Sequence, residues 1–139
     1  MQEIDGVRFY DDSKATNIGA VQSALAAMRQ PVVLIAGGRD KGGDYQLLHE
    51  LVRQKVKAMV LIGEASEIMA RSFDKLTMIQ QAATMEAAVR RAKALAAPGD
   101  TVLLSPACAS FDMFNSYSHR GEMFRLAVQN LQVEDNNGQ

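Results

Sequence analysis

Cysteine, tryptophan and proline are scarce in this chain. Its 139 residues include one cysteine, no tryptophan and three prolines, and aromatics make up 6%. The single thiol, Cys108, has no partner for an internal disulfide, which excludes a disulfide scaffold and makes a reducing cytoplasm the simplest compartment. No apolar run approaches the ~18 residues that a spanning helix needs. The opening "MQEIDG" also lacks the pattern of a secretory signal. Neither sign of charge is in excess: a formal net charge of −1 gives no electrostatic case for nucleic acid or an anionic membrane. The two histidines, His49 and His119, have no metal-ligand spacing. Repeats, low-complexity linkers and signs of a second domain are missing too. What is present, 47% hydrophobic and 22% charged residues, suits one soluble globular domain, expected to be a monomer. A domain of this size buries roughly 70% of the surface its unfolded chain exposes. The eight methionines fit as adaptable core filler.

Strand-like and helix-like stretches alternate. Apolar β-formers occur in "VRFY" (7–10), "VVLIA" (32–36), "AMVLI" (58–62), "TMI" (77–79) and "TVLL" (101–104). Runs that are apolar throughout are expected of strands covered on both faces. Between them run helical stripes: Ile18, Val21, Leu25 and Met28; Leu47, Leu48, Leu51 and Val52; Met85, Val89 and Ala92; Phe124, Ala127, Val128 and Leu131. Glu64–Phe73 reads as a shorter helix, Asp44 and Thr84 stand at N-cap positions, and Pro98-Gly99-Asp100 reads as a turn. This order predicts an α/β fold, three-layered and Rossmann-like, with a mainly parallel sheet and helices on both faces. Asp5-Gly6 is a two-residue hairpin signal, so "MQEI" is expected to pair antiparallel with "VRFY". Met1 then makes an abrupt beginning, already inside a strand. Residues 1–132 form the expected domain and 133–139, "VEDNNGQ", a polar tail that should fray.

Ligands of open parallel sheets bind outside the carboxyl ends of the strands. Three polar loops leave that edge: "DDSKATN", "GGRDKGGD" and "SPACASFDMFNSY". They gather Lys14, Arg39 and Lys41 with Thr16, Ser105, Ser110 and Tyr117. Cations, hydroxyls and helix N-terminal amides together suit an anionic ligand. The plainer alternative is that Thr16 and Asn17 cap the next helix and both lysines are solvated. "GGRDKGGD" matches neither G-x-G-x-x-G nor G-x-x-x-x-G-K-[ST], so it lacks both common phosphate cradles, and Lys41 reads either as a carboxylate clamp or as an exposed lysine. Cys108 in "PACAS" has only His49 and His119 as possible bases, at spacings that fit no local nucleophile signature; a tightly packed, buried thiol is expected. A phospho-acceptor receiver would want an aspartate ending the third core strand and a lysine after the last; Gly63 and Ser105 stand there.

Taken together, "GVRFYDDSKATN", "IAGGRDKGGDY", "PGDTVLLSPACASFDMF" and "HRGEMF" resemble the C-terminal domain of the Mur ligases, in the branch that adds D-glutamate to UDP-N-acetylmuramoyl-L-alanine. The stretches run in the family's order from Gly6 to Leu131. The "DNPR" stretch of the diaminopimelate- or lysine-adding branch is absent. The resemblance implies one domain of a cytoplasmic three-domain enzyme of peptidoglycan precursor synthesis. Such an enzyme uses ATP and Mg2+ to convert the carboxylate of UDP-N-acetylmuramoyl-L-alanine to an acyl phosphate, which the amine of D-glutamate attacks. This domain would supply most of the D-glutamate pocket and close over ATP held elsewhere, and alone it would not turn over. Lys41, Thr16, Ser110 and Tyr117 would hold the carboxylates of D-glutamate, with Phe111 nearby. Asp12 would face the ribose and Lys14 the phosphates of the nucleotide. No residue here is implied as catalytic or as a metal ligand. Asp11 replaces the family's usual Asn, and Asn115 stands where a basic residue is common. The competing reading is a stand-alone α/β module that binds a small molecule or an acidic peptide. A nucleotide-binding G-x-x-x-x-G-K-[ST] motif upstream of Met1 would separate the two.

Overall fold

The computed structural model describes residues 1–29, 31–110 and 113–137, the last six of these by backbone alone. Each apolar run forms a strand. Among the described residues there are six strands, β1 (Gln2–Ile4), β2 (Val7–Asp11), β3 (Val32–Gly37), β4 (Val56–Ile62), β5 (Met78–Gln81) and β6 (Thr101–Ala107). The helices are α1 (Ile18–Ala27), α2 (His49–Lys55), α3 (Ser66–Ser72), α4 (Met85–Leu95) and α5 (Tyr117–Asn137), with a 3-10 turn at Tyr45–Leu48 leading into α2. Residues 133–137 of the polar C-terminal stretch thus belong to α5.

The sheet order is β1-β2-β6-β3-β4-β5. Only β1 is antiparallel, pairing Ile4 with Val7 across Asp5-Gly6; both turn residues have positive φ, 53° and 80°, as a two-residue hairpin turn requires. All other pairings are parallel. The strand side chains alternate between two apolar layers. Val33, Ile35, Val102 and Leu104 face α4 and α5, whose buried stripes include Val89, Ala92, Phe124 and Val128. Val32, Leu34, Ala36 and Leu103 face α1, α2 and α3 through Val21, Leu25, Val52 and Met69. Burying β3 and β6 on both faces explains why they read as continuous apolar runs.

Helix starts follow the sequence chemistry with one difference. The side chain of Thr84 accepts the Ala87 amide and caps α4. Asp44 caps the 3-10 turn rather than an α-helix, accepting the Gln46 amide. The tighter winding of that turn rotates Leu47 off the expected stripe: Leu47 is 57% exposed, while Leu48 and Val52 are buried. Asp100 closes the Pro98-Gly99 turn by accepting the Ala97 amide at 2.8 Å and the Lys57 ammonium at 2.6 Å.

Candidate functional site

Strands β2, β6 and β3 lie side by side and point the same way, so the three polar loops leave one edge as neighbours. Backbone bonds stitch them together. Asp12 N–H donates to Leu104 O, Ala107 N–H to Ala15 O, and Arg39 N–H to Ala109 O, each at 2.8 Å. Gly38 allows the last contact, since a Cβ there would run into the Ala109 carbonyl oxygen and φ is 134°. Thus this glycine serves packing of loop on loop.

Arg120 is the buried fastener of the edge. It is 0% exposed and donates from Nη1 to Cys108 O and from Nη2 to Ser13 O, both at 3.0 Å. One guanidinium therefore joins the first loop, the last loop and α5. The sequence reading gave it no role, although a signal exists: Arg120 lies one turn before Phe124 on the same stripe as Ala127, Val128 and Leu131. A cation on a core stripe needs buried acceptors.

Thr16, Lys41 and Tyr117 line one hollow of about 390 Å³ with Ala109, Ser110 and Ser116. Four of the residues named from sequence are therefore brought together, from three loops and the start of α5. Asp12 and Lys14 are not among them. They line an adjoining hollow of about 350 Å³ with Asp11, Ser13, Ser118, Glu122 and Arg125, and Tyr117 borders both. Arg39 borders neither, and Phe111 lies outside the described residues.

The side chains of Lys14, Arg39 and Lys41 are exposed and make no hydrogen bond or ion pair among the described residues. Capping of α1 falls to Asn17 alone, whose Oδ1 accepts the Ala20 amide at 2.9 Å. That leaves the Thr16 hydroxyl and both lysines outside the cap. Asp12 accepts the Ser105 hydroxyl at 2.9 Å. Burial raises its carboxyl above the ordinary 3.8; the Ser105 bond opposes this and the neighbouring Asp11 charge adds to it. The charge that Asp11 introduces is matched within the fold: Arg125 donates to it at 2.5 Å, and it accepts the Ser13 amide at 3.0 Å.

Cys108 is fully buried, 3.5 Å from the Tyr45 hydroxyl and 4.0 Å from Met69 Sδ. Both histidines are engaged elsewhere, His49 with Ser72 and His119 with the Asn115 amide. This is a packed thiol without a histidine base, as its sequence context suggested. Among the described residues no three His, Cys, Asp or Glu side chains converge as metal ligands, and no helix is long and apolar enough to cross a membrane. The edge offers donors for anions.

Residues 1–108 match the family model described as Mur ligase, glutamate ligase domain. The chain belongs to this family of Mur ligase C-terminal domains. It is 54% identical to the UDP-N-acetylmuramoylalanine–D-glutamate ligase of Syntrophotalea carbinolica over 95% of this chain and 29% of the relative. The proteins of the same name from Geobacter metallireducens and Chloroherpeton thalassium are 53% and 47% identical, each over 94% of this chain and 29% and 28% of their own lengths. The Mur ligase domain described here thus spans under a third of those relatives.

Proposed function

We propose that this domain is the amino-acid-binding part of a cytoplasmic ligase that adds D-glutamate to UDP-N-acetylmuramoyl-L-alanine during peptidoglycan precursor synthesis. The observation that carries the reading is the convergence of Thr16, Lys41, Ser110 and Tyr117, far apart in sequence, on one hollow. D-Glutamate has two carboxylates and needs separate donor sets. In this reading the Lys41 ammonium takes one carboxylate, and the Thr16, Ser110 and Tyr117 hydroxyls take the other and fix the direction of the amine. Phe111 is proposed nearby.

The adjoining hollow fits part of a nucleotide. Lys14 offers an unbonded ammonium to phosphate, and the Asp12 carboxyl, held by Ser105, offers an acceptor to a ribose hydroxyl. At about 350 Å³ it covers one side of such a ligand, which suits a domain that closes over ATP seated on other parts of the enzyme. When bound, ATP supplies the phosphoryl group that activates the acceptor carboxylate as an acyl phosphate. This domain holds the attacking amine near it and helps to exclude water. Mg2+ belongs with the nucleotide on those other parts, and the domain alone is inactive and monomeric. Residues 1–132 form the functional unit.

The test is complementation. Linked to the remaining two domains of a D-glutamate-adding relative, this chain should support phosphate release that depends on D-glutamate. The chain alone should give none. Phosphate release indifferent to D-glutamate would reject the reading.

A further inference from the structure

The loop "GGRDKGGD" carries Lys41 between residues that hold one another. Asp40 Oδ1 accepts the Gly42 amide at 3.0 Å and the Tyr45 hydroxyl at 2.8 Å, so the Asp40 side chain is tied across Lys41 to the Gly42 backbone and to the Tyr45 side chain. Tyr45 is only 6% exposed, and its ring lies 6.3 Å from that of Phe73. Its hydroxyl also reaches Cys108 Sγ, one residue before the Ala109-Ser110 wall of the hollow. Upstream, the Arg39 amide is tied to Ala109 O. The Lys41 side chain is bonded to nothing among the described residues, and Gly42 and Gly43 beside it would otherwise leave the chain free.

We propose that Asp40 and Tyr45 are positioning residues, which fix Lys41 against the last loop so that its ammonium meets a substrate carboxylate in a set place. The inference rests on the reading of the Lys41 hollow as the D-glutamate site. Ordering Lys41 only when substrate arrives would draw on binding free energy for its loop backbone as well as for its side chain. A backbone already clamped at Asp40 reduces that cost. Burial, together with Cys108 and Asp40, pushes the Tyr45 hydroxyl far above its ordinary range, so it stays protonated and keeps donating.

The experiment uses a full-length ligase carrying this chain and measures kcat and the KM values for D-glutamate and ATP. The variants are Lys41→Ala, Asp40→Ala, Asp40→Asn and Tyr45→Phe. Asp40→Ala removes both loop bonds and should raise the D-glutamate KM about tenfold, with the ATP KM moving less than about twofold. Asp40→Asn keeps the accepting oxygen and should restore most of that affinity. Tyr45→Phe should raise the same KM by about threefold, and it carries the test if Asp40→Ala does not fold. A normal D-glutamate KM in Asp40→Ala or Tyr45→Phe, with Lys41→Ala impaired, would overturn the positioning role alone. A parallel rise of both KM values as thermal stability falls would overturn it too. Unchanged D-glutamate dependence in Lys41→Ala would instead remove the underlying site, and this proposal with it.

Discussion

The two edges of the sheet treat their cations differently. At the amino edge a hollow of about 670 Å³ is lined by Arg29, Arg53, Lys55 and Lys57. Apart from Arg29, these cations are engaged by the fold itself. Lys55 donates to Ala26 O and Met28 O at the end of α1, Lys57 pairs with Asp100, and Arg53 pairs with Glu50. At the carboxyl edge the side chains of Lys14, Arg39 and Lys41 are bonded to nothing among the described residues, although the hollows that Lys14 and Lys41 line are smaller. The lesson is that volume and count of positive charge are poor guides to a site. A cation already satisfied stabilises the fold; one kept unsatisfied beside hydroxyls is available to a ligand.

The carboxyl edge also has engaged cations, Arg125 with Asp11, Arg91 with Gln81 O and Arg120 with two loop carbonyls, and replacing buried Arg120 should have the largest effect on stability. Arg120→Ala strips two carbonyls of a buried charged donor and opens a cavity, at a cost of about 3 kcal/mol or more. Urea unfolding of the 139-residue chain measures it. A loss below about 1 kcal/mol would show that the fastening of loops to α5 is dispensable.

Lys41 and Lys57 then form a reciprocal pair. In a full-length ligase built to carry this chain, the proposed role predicts that Lys41→Ala lowers kcat/KM for D-glutamate roughly 30- to 150-fold, the equivalent of about 2–3 kcal/mol for a charge-assisted contact. The unfolding midpoint should stay put. Lys57→Ala should do the reverse, costing about 1 kcal/mol because the ammonium is partly exposed, with D-glutamate kinetics unchanged. An exchange of these phenotypes would break the comparison.

The smallest effect expected is in the pH dependence. Burial opposes ionisation of Asp100, but the Lys57 ammonium and the Ala97 amide outweigh it and hold the carboxyl below the ordinary 3.8. Ionised Asp100 therefore favours the folded state: its contribution is fully present above pH 3.8 and is lost as pH falls through the lower folded value. Asp12 has the opposite sign. Its raised carboxyl favours folding below pH 3.8, and that contribution disappears as pH rises through the folded value. Acid titrations of Asp100→Asn and Asp12→Asn should accordingly deviate from wild type in opposite directions.

Much of the fold was legible because periodicity reports burial directly. Strands β3 and β6 read as apolar runs, and the Phe124, Ala127, Val128 and Leu131 stripe is buried as its spacing implied. Asp5-Gly6 gave the hairpin. Leu47 was misplaced because a 3-10 turn and an α-helix share the same capping chemistry at Asp44. The convergence of Thr16, Lys41, Ser110 and Tyr117 followed from the edge rule and the family resemblance. Pairings across the fold were not legible. Asp11 with Arg125 spans 114 positions and Ser13 with Arg120 spans 107, and nothing local in the sequence marks either. Asp40 and Tyr45 are only five apart, yet their bond depends on how the loop turns over Cys108.

The most direct test of the proposed D-glutamate site is an amide-shift titration of this chain with each enantiomer of glutamate. D-Glutamate should shift Thr16, Lys41, Ser110 and Tyr117 together, with a millimolar or weaker Kd, because an open site of this kind offers only about 4 kcal/mol. Raising salt should weaken the response. L-Glutamate should shift fewer of the four, since a reversed centre cannot seat both carboxylates and the amine at once. Equal shifts from the two enantiomers would mean that the edge merely attracts anions, and would contradict the assignment.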